Sequence, residues 1–164
     1  MREAQYDSRA ETLAHVHDVR DNIDVFAAEM LRRGGIHDAS KFSAVEKPVF
    51  DEVLPLLKDI AYGSAEWQAV ADRAAPALEH HYRHNPHHPQ HYGNQGVAGM
   101  DLFDVVEMMC DWMAAARRNP ADGVRIDLNV RQFGIEPQLA SILANTLARW
   151  PVKRTGADAA GGSE

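Results

Sequence analysis

Apolar residues fall at helical spacing through almost the whole chain, and no stretch alternates apolar and polar residues with β-branched enrichment. That periodicity restricts the fold to packed helices. Leu13, Val16, Val19, Ile23, Phe26, Ala27 and Met30 define the apolar stripe of a first helix over Ser8 to Arg33, with Gly34-Gly35 as its stop. Ser43-Ala44-Val45-Glu46 reads as a capping box that opens a second helix carrying Val49, Phe50, Val53, Leu56, Leu57 and Ile60, with Pro55 as a kink and Tyr62-Gly63 as its end. Ser64 caps a third, with Trp67, Val70, Ala71, Ala74, Leu78 and His81 on one continuous helix that Asn85-Pro86 breaks. After a loop to Met100, Asp101 caps a fourth helix through Ala116, which Asn119-Pro120 closes. Shorter helices follow near Val124–Phe133 and Pro137–Trp150. The expectation is an all-α, single-domain bundle of five to six helices over residues 8–150, followed by a disordered tail over 151–164 that is rich in Gly, Ala, Ser and acid.

Charge and composition narrow the function. A net charge of −7 with scattered basic residues excludes an extended nucleic-acid surface. Arg32-Arg33 and Arg117-Arg118 read as helix C-terminal charges. No apolar run approaches the ~20 residues of a membrane span. The N-terminus has no apolar secretory segment and Cys110 is the only cysteine, so the expected location is cytoplasmic. Cys110, mid-helix on an apolar face, reads as core and not as a nucleophile. Trp67 or Trp150, if exposed, would mark a homodimer face.

The chemistry-bearing residues are histidines and carboxylates. There are nine histidines, and most lie between His80 and His91. His15 sits on the apolar stripe of the first helix and His81 on that of the third, whereas His17 falls on the polar side. His37-Asp38 lies in the turn after the first helix. In the fourth helix Asp104, Glu107 and Asp111 run along one line, and Asp111 stands in the apolar run Met108-Met109-Cys110-Asp111-Trp112-Met113, where a buried carboxylate must be paired, protonated or bound to a cation. Gathered together, His15, His37, Asp38, His81 and Asp111 would hold one or two divalent ions, with Zn, Fe, Mn, Co or Ni all suited to imidazole and carboxylate donors. His87 and His88 are further ligand or lid candidates, and Glu107 a carboxylate that orients an imidazole. Each also has an ordinary reading: Asp38 as a turn cap, Asp111 in a salt bridge, the histidines as core or solvated residues. Lys41, one turn past the pair, is placed to meet a phosphate.

Taken in order, His15 … His37-Asp38 … Asp111 resembles the HD-domain superfamily of metal-dependent phosphohydrolases. More closely, HDxSKF at His37–Phe42, HHYxxNxHHP at His80–Pro89 and EMxCDW at Glu107–Trp112 are similar to a family of bacterial and phage proteins of unknown function, from which Gln90 departs by replacing an acid. The superfamily resemblance implies His15, His37, Asp38 and Asp111 as the ligand set. It implies a metal-dependent hydrolase acting on a small anionic phosphate ester, a nucleotide being one candidate, with Asp38 orienting water or serving as base and Lys41 neutralising phosphate. An HD-type di-iron oxygenase, or a non-catalytic helical module that binds metal or nucleotide, stays open beside it.

Overall fold

The computed structural model describes residues 6–57, 60, 64–117 and 124–151, and within them the chain is all helix and turn, with no strand. Seven α-helices appear among the described residues: α1 Arg9–Ile36, α2 Lys47–Leu57, α3 Ala65–Arg73, α4 Ala75–His84, α5 Leu102–Ala116, α6 Ile126–Phe133 and α7 Pro137–Ala148. Two 3-10 segments, Ala39–Phe42 and Pro89–Gly99, complete the described elements. The chain divides into two compact units, Met1–Cys110 and Asp111–Glu164. The expected closures at Tyr62-Gly63 and Asn119-Pro120, and the expected tail beyond Pro151, lie outside the described residues.

Helix count exceeds the expected five to six because the third helix is two. α3 ends at Arg73 and α4 begins at Ala75 with Pro76 in its first turn. Proline has no N–H to donate and its fixed φ suits the first turn of a helix, so Pro76 starts α4 instead of extending α3. At α1 the correction runs the other way. Gly34 and Gly35 do not stop the helix, which continues to Ile36 before His37 turns the chain. The apolar stripe of α1 is also not buried along its length: Leu13, Val16, Val19 and Ile23 are exposed, and burial begins only where Phe26 stacks on Phe103 at a 4.8 Å centroid distance.

Other local signals hold. Asp101 Oδ1 accepts from the Asp104 backbone N–H at 2.9 Å, and Asp104 Oδ2 accepts from the Asp101 N–H at 3.2 Å, a reciprocal cap at the start of α5. Ser64 Oγ accepts from the Trp67 N–H at 3.1 Å at the start of α3. Asn85 ends α4. In the first unit Phe50 and Val53 of α2, Ala77 of α4, and Val105, Met108 and Met109 of α5 are buried, together with Ala74 between α3 and α4. In the second unit Ile135 and Leu143 are buried and Trp112 stacks parallel to Phe133. What the first unit's packing positions is the short turn after α1 beside α4 and the segment that follows it.

Candidate functional site

Three stretches of the first unit supply the site: the turn His37-Asp38, the end of α4 at His81, and His87-His88 just before the second 3-10 segment. Asp38 is the one described non-glycine residue with positive φ, at 57°. Aspartate tolerates the left-handed region better than most residues, and holding it there aims the carboxylate back toward α4. Ligand atoms of Asp38, His81, His87 and His88 all lie within 4.8 Å of one another. His81 and His87 are almost fully buried, at 3% and 1% exposure.

The protons of this group are fixed from behind. Glu46 is fully buried and accepts from His81 Nδ1 at 2.9 Å and from His80 Nδ1 at 2.7 Å. Glu107 Oε1 lies 2.8 Å from His37 Nδ1 and 3.2 Å from His87 Nδ1. An ionised carboxylate only accepts, so each of these imidazoles carries a proton on Nδ1. Their Nε2 atoms face Asp38: His81 at 3.2 Å and His87 at 3.6 Å from Oδ1, His37 at 3.4 Å from Oδ2. His81 Nε2 is 2.9 Å from His88 Nε2. Asp38 Oδ1 and His87 Nε2 are buried with no hydrogen-bond partner.

Side-chain nitrogens and oxygens gathered this closely could hold a cation. Two ligands on one ion with bonds of about 2.0–2.1 Å stand roughly 2.8–3.4 Å apart for right-angle to tetrahedral arrangements. The 2.9 Å between His88 and His81 and the 3.2 Å between His81 and Asp38 fall within that range, and the 3.6 Å between His87 and Asp38 lies just beyond it. Three imidazoles and a carboxylate form a donor set for a borderline transition metal.

Electrostatics agree with ionised carboxylates. Burial pushes the Asp38 carboxyl up, but its contact with His81 and the Lys41 ammonium 2.5 Å from Oδ2 outweigh that and hold it well below the usual range. Burial likewise opposes ionisation of Glu107, and His37, His87 and Arg33 together override it. For Glu46 the contacts to His80, Ser40 and His81 exceed the desolvation cost. Burial raises the Cys110 thiol, with Glu107 adding to the effect, which leaves it an unreactive thiol. On its outer side the site meets a cleft of about 110 Å³, lined by Arg32, Ile36, His84, Pro86, His37 and His87 among others.

Of the residues expected from the sequence, Asp38, His81, His87 and His88 come together, with His37 and Glu107 beside them. His15 is not brought in. It is exposed on α1 and belongs to no cluster of potential ligands among the described residues. The same exposure of the α1 stripe that leaves Val16 and Val19 in solvent leaves His15 there too. Asp111 is half-buried and falls in the second unit. Lys41 is on Asp38, and its ammonium also sits 5.9 Å over the Phe50 ring.

Two residues escaped the sequence reading. Glu46 is not the return arm of a capping box: only half of the box forms, with Ser43 Oγ accepting from the Glu46 N–H at 3.2 Å, while the Glu46 side chain turns inward to the histidines. Its only signal was a carboxylate three residues after Ser43, which a cap explains equally well. Arg33 is a charge in the last turn of α1, as expected, and is also half-buried against Glu107 and Asp104.

A family model described as a family of unknown function, DUF5662, matches residues 4–149. No curated protein and no solved structure matches the chain.

Proposed function

The chain belongs to the DUF5662 family, and we propose that it is a metal-dependent hydrolase of a small phosphate ester, a nucleotide being one candidate substrate. One observation carries the reading: Asp38 Oδ1 and His87 Nε2, both buried and both without a partner, face one another beside Nε2 of His81. A buried polar atom left unmatched costs on the order of 1–3 kcal/mol, and a divalent ion satisfies all of these atoms at once. Such an ion acidifies water and polarises a phosphoryl oxygen.

Asp38 is held too acidic to act as a general base at neutral pH, so its role in this reading is ligation. Glu46 and Glu107 fix the imidazole tautomers. Lys41, 43% exposed at its side chain while paired to Asp38, has room to share its charge with a phosphate oxygen. The cleft over His37 and His87 gives a small anion a way to the ligands, with Arg32 on its wall.

The test is metal analysis of natively purified protein, followed by assay of phosphomonoesters, phosphodiesters and nucleotides before and after chelation. Hydrolysis that chelation abolishes and metal restores is expected. A protein that holds no metal, or holds it without turnover on any of these compounds, sinks the hydrolase reading, and two irons with O₂ uptake would replace it with an oxygenase.

A further inference from the structure

Behind the ligand cluster lies a second charged group that no part of the hydrolase reading uses. Arg33 Nε donates to Glu107 Oε2 at 2.7 Å, and Arg33 Nη2 donates to Asp104 Oδ1. The Arg33 side chain is 13% exposed and that of Asp104 3%. Asp104 Oδ2 in turn accepts from the Tyr92 hydroxyl, and burial together with Asp104 keeps that hydroxyl protonated. Tyr92 is itself wedged in place: a Cβ at Gly99 would stand 2.8 Å from Tyr92 Cβ, Cγ and Cδ1, so glycine there is what lets the ring lie flat on the chain.

Without Arg33 the carboxylates of Asp104 and Glu107, one turn apart on α5, would repel. Glu107 would then lose the contact that fixes its rotamer. The consequence reaches the candidate centre directly, because Glu107 Oε1 is the shared acceptor for the Nδ1 protons of His37 and His87. A planar guanidinium meets two carboxylates along two of its edges at once, and a lysine ammonium cannot reproduce that fork.

We infer that Arg33, clamped between Glu107 and Asp104 and backed by Tyr92, is a positioning residue that sets the metal affinity of the Asp38-His81-His87-His88 centre. The inference rests on the metal reading above. It also separates Arg33 from Arg32: both line the cleft, but Arg33 has Nε and Nη2 occupied by carboxylates and so braces the centre instead of receiving an incoming anion.

Cobalt(II) is the probe, because its visible absorption reports coordination geometry as well as binding. The full chain is titrated with Co²⁺ as wild type, Arg33→Lys, Arg33→Gln and Tyr92→Phe, with helical circular dichroism and apo melting recorded for each. Both Arg33 variants are expected to bind Co²⁺ about 10–100-fold more weakly, with displaced absorption bands. Tyr92→Phe, which deletes one hydroxyl and keeps the ring, shifts affinity and bands the same way by less. If the Arg33 variants do not fold, Tyr92→Phe decides alone. Wild-type affinity and an unchanged spectrum in the folded variants would overturn the inference and leave the metal reading standing. So would an Arg33→Lys protein that keeps its Co²⁺ affinity but shows a raised KM, since that result marks a substrate anchor. A wild type that binds no Co²⁺ overturns the metal reading and the inference with it.

Discussion

Glu46 and His81, 35 positions apart, meet in a fully buried hydrogen bond of 2.9 Å. The contact dictates which nitrogen of His81 is left to face Asp38. Glu46→Gln keeps the size of the side chain but replaces an obligate acceptor with an amide that also donates. Metal affinity is expected to fall about 10–100-fold, measured by competition with a chromophoric chelator, and unchanged affinity would mean that Glu46 does not govern the His81 tautomer.

Asp38→Asn tests the cluster itself. Asparagine tolerates the left-handed backbone at φ 57°, so the turn survives while a carboxylate ligand is lost. Bound metal is expected to drop by at least the ~100-fold upper end that outer partners show. Apo stability, followed by chemical denaturation, should fall, because the variant loses the charged contacts that hold the Asp38 carboxyl below its ordinary range. A variant that still retains metal would contradict the assignment.

His15→Ala is expected to leave metal content unchanged, since His15 is exposed on α1 outside the cluster. Metal analysis of this variant beside Asp38→Asn separates the side-chain cluster seen in the structure from the ligand set implied by resemblance to the HD-domain superfamily. Loss of metal in both would restore His15 to the site.

Acid should unfold the metal-free protein. The carboxyl groups of Glu46 and Glu107 are lowered from 4.5, and that of Asp38 from 3.8. A depressed folded-state pKa contributes stability that is present above the unfolded value and lost as pH falls toward the folded one. Urea midpoints in chelator should therefore decline as pH drops below about 4.5, with little carboxylate-driven change above it. A midpoint that rises on acidification would show that burial, and not the imidazole and cationic partners, controls these groups.

Gly34→Ala and Gly35→Ala are expected to stabilise the protein by about 0.4–1 kcal/mol each. Both glycines lie inside α1, and a Cβ at either would meet nothing within 4 Å. Thermal unfolding is the check, and destabilisation by either would mean that the glycine serves a backbone need absent from this helix.

These glycines also show where sequence reading runs out. Paired glycines are a strong stop signal when only local preferences compete, yet the cost of glycine in a helix is about 1 kcal/mol per residue. Tertiary contacts made on either side of them, from Arg33 to α5 and from His37 to Glu107, override it. Asp101 and Asn85 were legible as boundaries because their signals are local: a side-chain cap and a residue before proline. Of the site, His37, Asp38, His81, His87, His88 and Glu107 could be picked out, because imidazoles on apolar faces and carboxylates in apolar runs are costly unless used. Glu46 and Arg33 could not. A glutamate three residues after Ser43 and an arginine at a helix end each have a sufficient local explanation, and only the fold reveals the long-range one. His15 failed for the converse reason: periodicity identifies an apolar stripe but not whether anything covers it.

Ser40 and Asn85, 45 positions apart, are joined by a 2.7 Å hydrogen bond beside the cluster, and the ligands bridge the same gap. An ion gripped from both sides acts as a staple, closing a long loop that the denatured chain would otherwise leave open. Heat resistance should then track the logarithm of free ion concentration once the centre is saturated. A melting series in buffered metal would thus read out occupancy without any knowledge of the substrate.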